Sequence, residues 1–195
     1  MNYVRWTLGL LLLGAYVAVL HYSLPSRDIV RVLGTEVVRV ADERTDPDGR
    51  EVQITRDQMR INTITPTGTE RVYRNEDTDW SFPWYLKFDS ANVAARAENL
   101  KSTESEPDWV VVTHYGWRIP MLSLFPNAID LDRAEGPDQD LTPWFNIVLV
   151  TLLTLGLITL WRMAQLAFRR NVDPVLDEIE ARGGAVVRFW RGLWR

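Results

Sequence analysis

The sequence predicts an α+β protein in which two transmembrane helices flank a small, mainly antiparallel β extracytoplasmic domain, with an amphipathic helix at the C-terminal end. Three observations predict it. Two uncharged apolar stretches, Trp6 to Leu24 and Leu141 to Trp161, stand on either side of a polar middle. That middle alternates apolar and polar residues over much of its first half, the period of a half-buried strand. Beyond the second stretch, apolar residues recur at helical spacing with arginines opposite them. The expected divisions are 1–25, an N-terminal transmembrane helix; 26–140, the extracytoplasmic domain; 141–168, a second transmembrane helix; and 169–195, a cytoplasmic amphipathic tail.

Composition narrows the chemistry. Each apolar stretch is about the ~20 residues that cross a ~30 Å hydrocarbon core as a helix, which excludes a soluble single-domain protein. The chain has no cysteine, so disulfides, thiol nucleophiles, iron–sulfur ligation and cysteine-based zinc sites are excluded. Its two histidines, His21 and His114, are too few for a histidine relay.

The first span opens after Arg5 and closes at Pro25. An uncleaved anchor is favoured over a cleaved signal, because no small-residue cleavage site follows the apolar run. Gly14 and Ala18 form a small-xxx-small pair that permits close helix packing, a pattern also common by chance in apolar sequence.

In the middle, Ile29, Val30, Val32 and Val37 to Val40, then Val52, Ile54, Met59, Ile61 and Ile64, read as strands. Asp46-Pro47-Asp48-Gly49 and Pro66-Thr67-Gly68 are placed as hairpin turns. A helix is expected from Ser90 to Leu100, capped by Asp89 or Ser90, with Val93, Ala94, Ala97 and Leu100 on one face. Trp109 to Tyr115 reads as a further strand, and Asp130 to Asp140 as a loop-like tether. Thr142 and Pro143 then signal the start of the second span. Trp144 and Trp161, 17 residues apart, lie ~26 Å apart on a helix, the spacing of two interfacial aromatic belts, to which Trp6 also belongs.

Charge sets the orientation. Residues 162–195 carry seven arginines against four acids, whereas 25–140 carry 14 basic and 22 acidic residues. Basic residues next to the span ends, Arg5, Arg162, Arg169 and Arg170, place both termini in the cytoplasm and 26–140 on the extracytoplasmic side. In the tail, Asp173 and Pro174 open a short helix ending near Gly183-Gly184. From Val186 onward, the apolar side chains Val186, Val187, Phe189, Trp190, Leu193 and Trp194 fall within an arc of about 160°, and Arg188, Arg191 and Arg195 oppose them. This suits the membrane interface, with the arginines towards anionic lipid; packing on another subunit is the alternative.

Four groups of residues bear on chemistry. The acids Asp130, Asp132, Glu135, Asp138 and Asp140 depart from a calcium loop at Ala134, Gly136 and Leu141, so a solvated tether is favoured and no metal is expected. Asn75, Glu76, Asp77 and Asp79 offer carboxylates without an acid partner or oxyanion donor, which favours a turn over catalysis. His114, with Val110 and Val112 on its own strand face, reads as a hydrogen-bonded structural histidine rather than a base, and His21 as an interfacial residue. The aromatic run Trp80, Phe82, Trp84, Tyr85 and Phe88 is either core or a docking patch for a partner or the outer leaflet; Pro83 moves it towards an edge or loop.

Two blocks, VYRNEDTDWSFPWYLKFDSAN (Val72 to Asn92) and WVVVTHYGWRIPMLSLFPNA (Trp109 to Ala128), resemble an uncharacterised bacterial membrane-protein family, the domain of unknown function numbered fifteen twenty-three. The resemblance implies a cell-envelope protein of Gram-negative bacteria and assigns no catalytic residue.

The expected function is that of a non-enzymatic inner-membrane accessory or scaffold protein, without a cofactor. It would stabilise or position a larger complex through its outer domain and interfacial tail. Partners are other inner-membrane proteins or a second copy of the chain, with Trp80, Phe82, Trp84 and Tyr85 as the contact residues, and anionic lipid at the tail. Nucleic acid is disfavoured because the one basic concentration follows a span. An extracytoplasmic ligand-binding or sensor module is the alternative; an enzyme using Glu76, Asp77, Asp79, Asp89 and His114 ranks third.

Overall fold

The computed structural model describes residues 2–45 and 51–172. The expected turn at Asp46-Pro47-Asp48-Gly49 and the tail residues Arg188, Trp190, Arg191, Trp194 and Arg195 lie outside the described residues. The element order is α1 (Asn2–Ser23), β1 (Ser26–Thr45), β2 (Glu51–Ile64), β3 (Glu70–Arg74), α2 (Ser90–Asn99), β4 (Trp109–Tyr115), a 3₁₀ turn (Pro120–Leu122), β5 (Asn127–Arg133) and α3 (Trp144–Asn171). The chain divides into a helical unit, to which α1 up to Leu20 and α3 belong, and a unit spanning His21–Thr142.

In the helical unit, Trp6–Ser23 of α1 and the whole of α3 are long and apolar enough to cross a membrane. Apolar side chains stand out on every side, among them Leu10 to Leu13 on α1 and Leu152, Leu155 and Leu160 on α3. A helix that is apolar all round needs a cover, and the described residues bury none of either apolar segment. The polar side chains are answered within the helices: Thr7, Thr151 and Thr159 donate to the carbonyls of Tyr3, Ile147 and Leu155. Tyr16 Oη and Thr154 Oγ1, 3.2 Å apart, link α1 to α3. Gly14 has no heavy atom within 4 Å of where a Cβ would stand, so this link does not use the Gly14–Ala18 pair.

The second unit is a closed five-stranded barrel in the order β1-β2-β3-β5-β4. Four neighbouring pairs are antiparallel, and the barrel closes through one parallel pairing of β3 with β5, at Arg74 opposite Asn127. The sheet is therefore mixed rather than purely antiparallel. β1 makes closure possible by serving two neighbours: Ser26–Arg31 pair with β4, and Arg31–Thr45 with β2. Between Val32 and Gly34 the register slips, and such a bulge bends a strand enough to turn a barrel corner. With α2 inserted between β3 and β4, this is the connectivity of an OB barrel, a five-stranded Greek-key fold.

The core follows from alternation. Val30, Val32, Ile61, Tyr73, Val110, Val112, Ala128 and Leu131 point inward from the strands, and Val93 and Ala97 of α2 close the cluster with Leu100 just past its end. Each fully buried aliphatic side chain contributes about 1.5–3 kcal/mol before conformational entropy is charged against it. The Pro66-Thr67-Gly68 turn joins β2 to β3 as expected: Gly68, at φ +82°, donates its N–H to Thr65 C=O at 2.9 Å.

Three local expectations are corrected. Asp130 to Arg133 are strand β5 rather than tether, because their backbones complete the ladder to β4. Asp89 stands at the N-cap position of α2 as expected, but its side chain makes no cap hydrogen bond; Asp77 reaches across instead, accepting from Ser90 N at 2.9 Å and Ser90 Oγ at 3.0 Å. Thr142 does not cap α3, which starts one residue later behind Pro143; its hydroxyl is held by the Asp140 carboxylate. In both cases a nearby carboxylate outcompetes the local capping geometry.

Candidate functional site

Two loops of the barrel unit carry most of its exposed large apolar side chains, with Leu33 and Val37 of β1 standing apart from them. The first, between β3 and α2, is irregular because Pro83 lacks an N–H and Asp79 and Leu86 adopt positive φ. Its neck is closed by a double link: Thr78 N–H donates to Lys87 C=O, and Lys87 N–H to Thr78 Oγ1, both at 3.0 Å. Beneath the neck the buried Lys87 donates from Nζ to Asn75 Oδ1 and to Ala128 C=O at 2.7 Å. Burial lowers the Lys87 pKa from 10.5 to about 8, against the pull of the acids Asp77, Asp89, Glu76 and Asp130. Asn75 passes the connection on to Ser90 C=O at 2.7 Å.

This braced frame holds its aromatics outward. Trp80 is 77% exposed and Trp84 73%, with Phe82 and Phe88 also exposed. They lean on one another edge to face, Trp80 on Phe88 and Phe82 on Trp84, with ring centroids 6.1 and 5.4 Å apart. Tyr85 departs from this set. It turns inward, stacks on Tyr115 at 4.8 Å and donates its hydroxyl to Ser23 C=O. Of the four residues expected to bind a partner, Trp80, Phe82 and Trp84 are exposed and Tyr85 is a brace.

The brace meets the last turn of α1, His21–Ser23, which belongs to the barrel unit. A helix end leaves carbonyls without intrahelical partners. Here Gly116 N–H donates to Tyr22 C=O at 3.0 Å, while Tyr85 serves Ser23. The Tyr22 ring sits among Phe82, Tyr115 and Trp117, with centroids 6.4, 6.1 and 5.4 Å away, and Trp117 Nε1 donates to His21 Nδ1 at 2.9 Å. Gly116 opens the second apolar loop, between β4 and β5, which exposes Trp117, Met121, Leu122 and Leu124. The sequence reading passed over this loop; the signal was the run Met121, Leu122, Leu124, Phe125 with no strand or helix period.

A polar layer fills the barrel end from which β1 and β3 start. Asp28 Oδ2 accepts from Tyr73 Oη at 2.6 Å and from Arg71, and lies 3.0 Å from His114 Nε2. Burial alone would raise the Asp28 pKa, but the hydrogen bonds from His114 and Tyr73 and the Arg71 charge lower it from 3.8 to about 2. His114 Nδ1 is buried with no hydrogen-bond partner among the described residues, so the tautomer with its proton on Nε2 satisfies the contact. The partner of His114 is thus Asp28 on β1.

The candidate carboxylates do not converge. Glu76 faces Arg56 and Arg74 at 3.2 and 3.3 Å, Asp77 holds Ser90, and Asp79 is exposed in the aromatic loop. The acidic run is also dispersed: Asp130 pairs with Arg96, and Asp140 holds Thr142. Among the described residues no group of three or more His, Asp or Glu is placed to hold a metal ion. Trp6, Trp144 and Trp161 are all exposed on their helices.

Comparison with known proteins supplies a family. A family model described as a protein of unknown function (DUF1523) matches residues 1–168. An uncharacterised protein of Haemophilus influenzae is 37% identical over 145 residues, which cover 72% of this chain and 79% of that protein. No solved structure matches.

Proposed function

From the premise that the chain belongs to the DUF1523 family, we propose that it is a non-enzymatic accessory or scaffold protein of the bacterial inner membrane. Helices α1 and α3 cross the bilayer, both termini are cytoplasmic and the barrel is periplasmic. The arginine bias at the span ends and the uncovered apolar surface of both helices support this placement. The tail, through Arg188, Arg191 and Arg195, lies on anionic lipid, with Trp190 and Trp194 in the interface. The open side of α1 at Gly14 leaves room for a helix from another inner-membrane protein or a second copy of this chain.

The observation that carries the reading is the β3–α2 loop, whose hydrogen-bonded frame holds Trp80, Phe82, Trp84 and Phe88 at the surface instead of letting them collapse. Each such ring buries about 150–250 Å² when covered, and tryptophan dominates interface energetics. The test is gentle affinity purification of the full chain, wild type against Trp84→Ala and Trp80→Ala. Loss of co-purifying inner-membrane proteins or of self-association, with the unfolding midpoint unchanged, is the expected result. A lowered midpoint with unchanged co-purification would reassign both residues to folding.

One observation favours a second reading, a ligand-binding or sensor module. OB barrels in other proteins bind oligosaccharides and oligonucleotides on the face of strands β2 and β3, and this chain shares that strand order by analogy of fold. Away from that face, a cleft of about 410 Å³ between Tyr85, Lys87, Phe88, Arg96 and Asp130 offers space for a small ligand. Saturable small-molecule binding by the purified chain would favour this module over the scaffold.

A further inference from the structure

We propose that the β4–β5 loop, residues 116–125, is a membrane finger that seats the barrel on the outer leaflet of the bilayer, and this rests on the reading that α1 spans that bilayer. Four observations on one loop carry it.

The loop is tied to the point where the chain leaves the apolar span. Gly116 N–H holds Tyr22 C=O, Trp117 Nε1 holds His21 Nδ1, and the Trp117 ring packs on Tyr22 with centroids 5.4 Å apart. His21 and Tyr22 stand near the outer end of the uncharged run Trp6 to Leu24. The interfacial layer is roughly 5–8 Å deep on each side of the hydrocarbon, so a ring in contact with Tyr22 lies within it. Tryptophan favours that depth.

The tip satisfies its own backbone. Ile119 and Leu124 exchange both N–H to C=O bonds, at 3.2 and 3.1 Å, while Leu122 N–H donates to Ile119 C=O and Ser123 N–H to Pro120 C=O. Ser123 takes the left-handed conformation that completes the turn. Backbone groups paired in this way enter a low-dielectric layer without the cost of unmet hydrogen bonds.

The side chains at that tip are apolar and uncovered. Met121 is 95% exposed and Leu122 65%. The charge also fits. From Trp109 to Ile129 the only charged residue is Arg118, in a region of the chain where acids outnumber bases. An acid-free loop with one arginine beside its apolar tip matches an anionic headgroup layer.

The cysteine-free chain allows a direct test on the full-length protein, reconstituted into vesicles of phosphatidylethanolamine and phosphatidylglycerol. Single cysteines at Leu12→Cys in the span, Met121→Cys at the tip and Ser105→Cys in the α2–β4 loop each receive a polarity-sensitive fluorophore. Strand β4 separates the last two by roughly 20 Å. Each label is challenged with a lipid-borne nitroxide and with iodide on both sides of the membrane. The expected result is nitroxide quenching at 121 approaching that at 12, with severalfold less iodide quenching than at 105. If 121 behaves like 105 while 12 stays nitroxide-quenched, the finger is overturned and the span stands. Iodide protection at 121 without nitroxide quenching means that protein covers the loop, which also overturns it. Iodide access at 12 removes the span and the finger together.

Discussion

Replacing Asp28 with asparagine tests the polar layer at the barrel end, because one carboxylate oxygen there answers Arg71, Tyr73 and His114 together. Asparagine keeps the shape, removes the charge and turns an amide towards a guanidinium. The lowering of the Asp28 pKa from 3.8 to about 2 corresponds, at 1.36 kcal/mol per pH decade, to about 2 kcal/mol. The side chain is 24% exposed, and solvent screening trims this to about 1–2 kcal/mol. The hydrogen bond from the fully buried Tyr73 is already part of that shift, so the total stays at about 1–2 kcal/mol. For a unit of this size, that lowers Tm by roughly 4–10 °C. The pH dependence supplies the sign. A carboxylate with a depressed folded pKa stabilises fully above its unfolded value and loses that stabilisation as pH falls through the folded one. The gap between wild type and Asp28→Asn should therefore be widest at neutral pH and narrow between about pH 4 and about pH 2. Thermal unfolding of the full chain in detergent, followed by near-UV circular dichroism across that range, measures both. A gap below about 2 °C at pH 7, or one that stays constant down to pH 2, would refute the reasoning.

Asn127 closes the barrel where backbone pairing is thinnest. Its side chain accepts from Glu76 N–H at 2.9 Å and donates to Glu76 C=O at 3.0 Å and to Tyr115 Oη at 3.1 Å, so Asn127→Ala should lower stability by about 2–3 kcal/mol in a denaturant titration. Gly116 sits at φ +93°, with an added Cβ at ordinary contact distance from Tyr22 and Pro126. The cost of Gly116→Ala is therefore conformational, about 1–2 kcal/mol by the same titration, and a loss under about 0.5 kcal/mol would mean the backbone relaxes freely. Lys87 has the same pH sign as Asp28 but acts in an alkaline window. Its folded pKa of about 8 lies below the ordinary 10.5, so the unfolded chain binds more protons in that window and stability rises with pH. Denaturant midpoints measured between about pH 8 and 10 should climb in the wild type, and Lys87→Met should lack that component.

The parts of the molecule legible in its sequence are those set by local chemistry. The apolar helices follow from composition over some twenty residues, α2 from the spacing of Val93, Ala97 and Leu100, and β4 from an unbroken β-branched run. Strand β2 and the Gly68 turn follow from period two and from a residue that tolerates positive φ. Strands β3 and β5 were not legible. Both are short, and β5 carries the acids Asp130 and Asp132, so only the ladder to β4 makes it a strand. Capping failed for a similar reason, since Asp77 reaches α2 from thirteen residues away and no local pattern records that.

His114 illustrates the same division. Its residue type and strand position were evident in the chain, but its partner Asp28 lies 86 positions earlier and meets it only because β1 runs antiparallel to β4. The aromatic run had an ambiguous reading, core or surface, because pattern alone does not say on which side of a loop a ring emerges. Tertiary structure decided it, turning Tyr85 in to hold Ser23 and leaving Trp80 and Trp84 outside. Sequence determined which segments are apolar, which are periodic and which termini carry the arginines, since these are sums over neighbouring residues. Barrel closure, the Asp28 layer and the collar around Tyr22 depend on contacts between residues far apart in the chain, and only the folded chain brings those together.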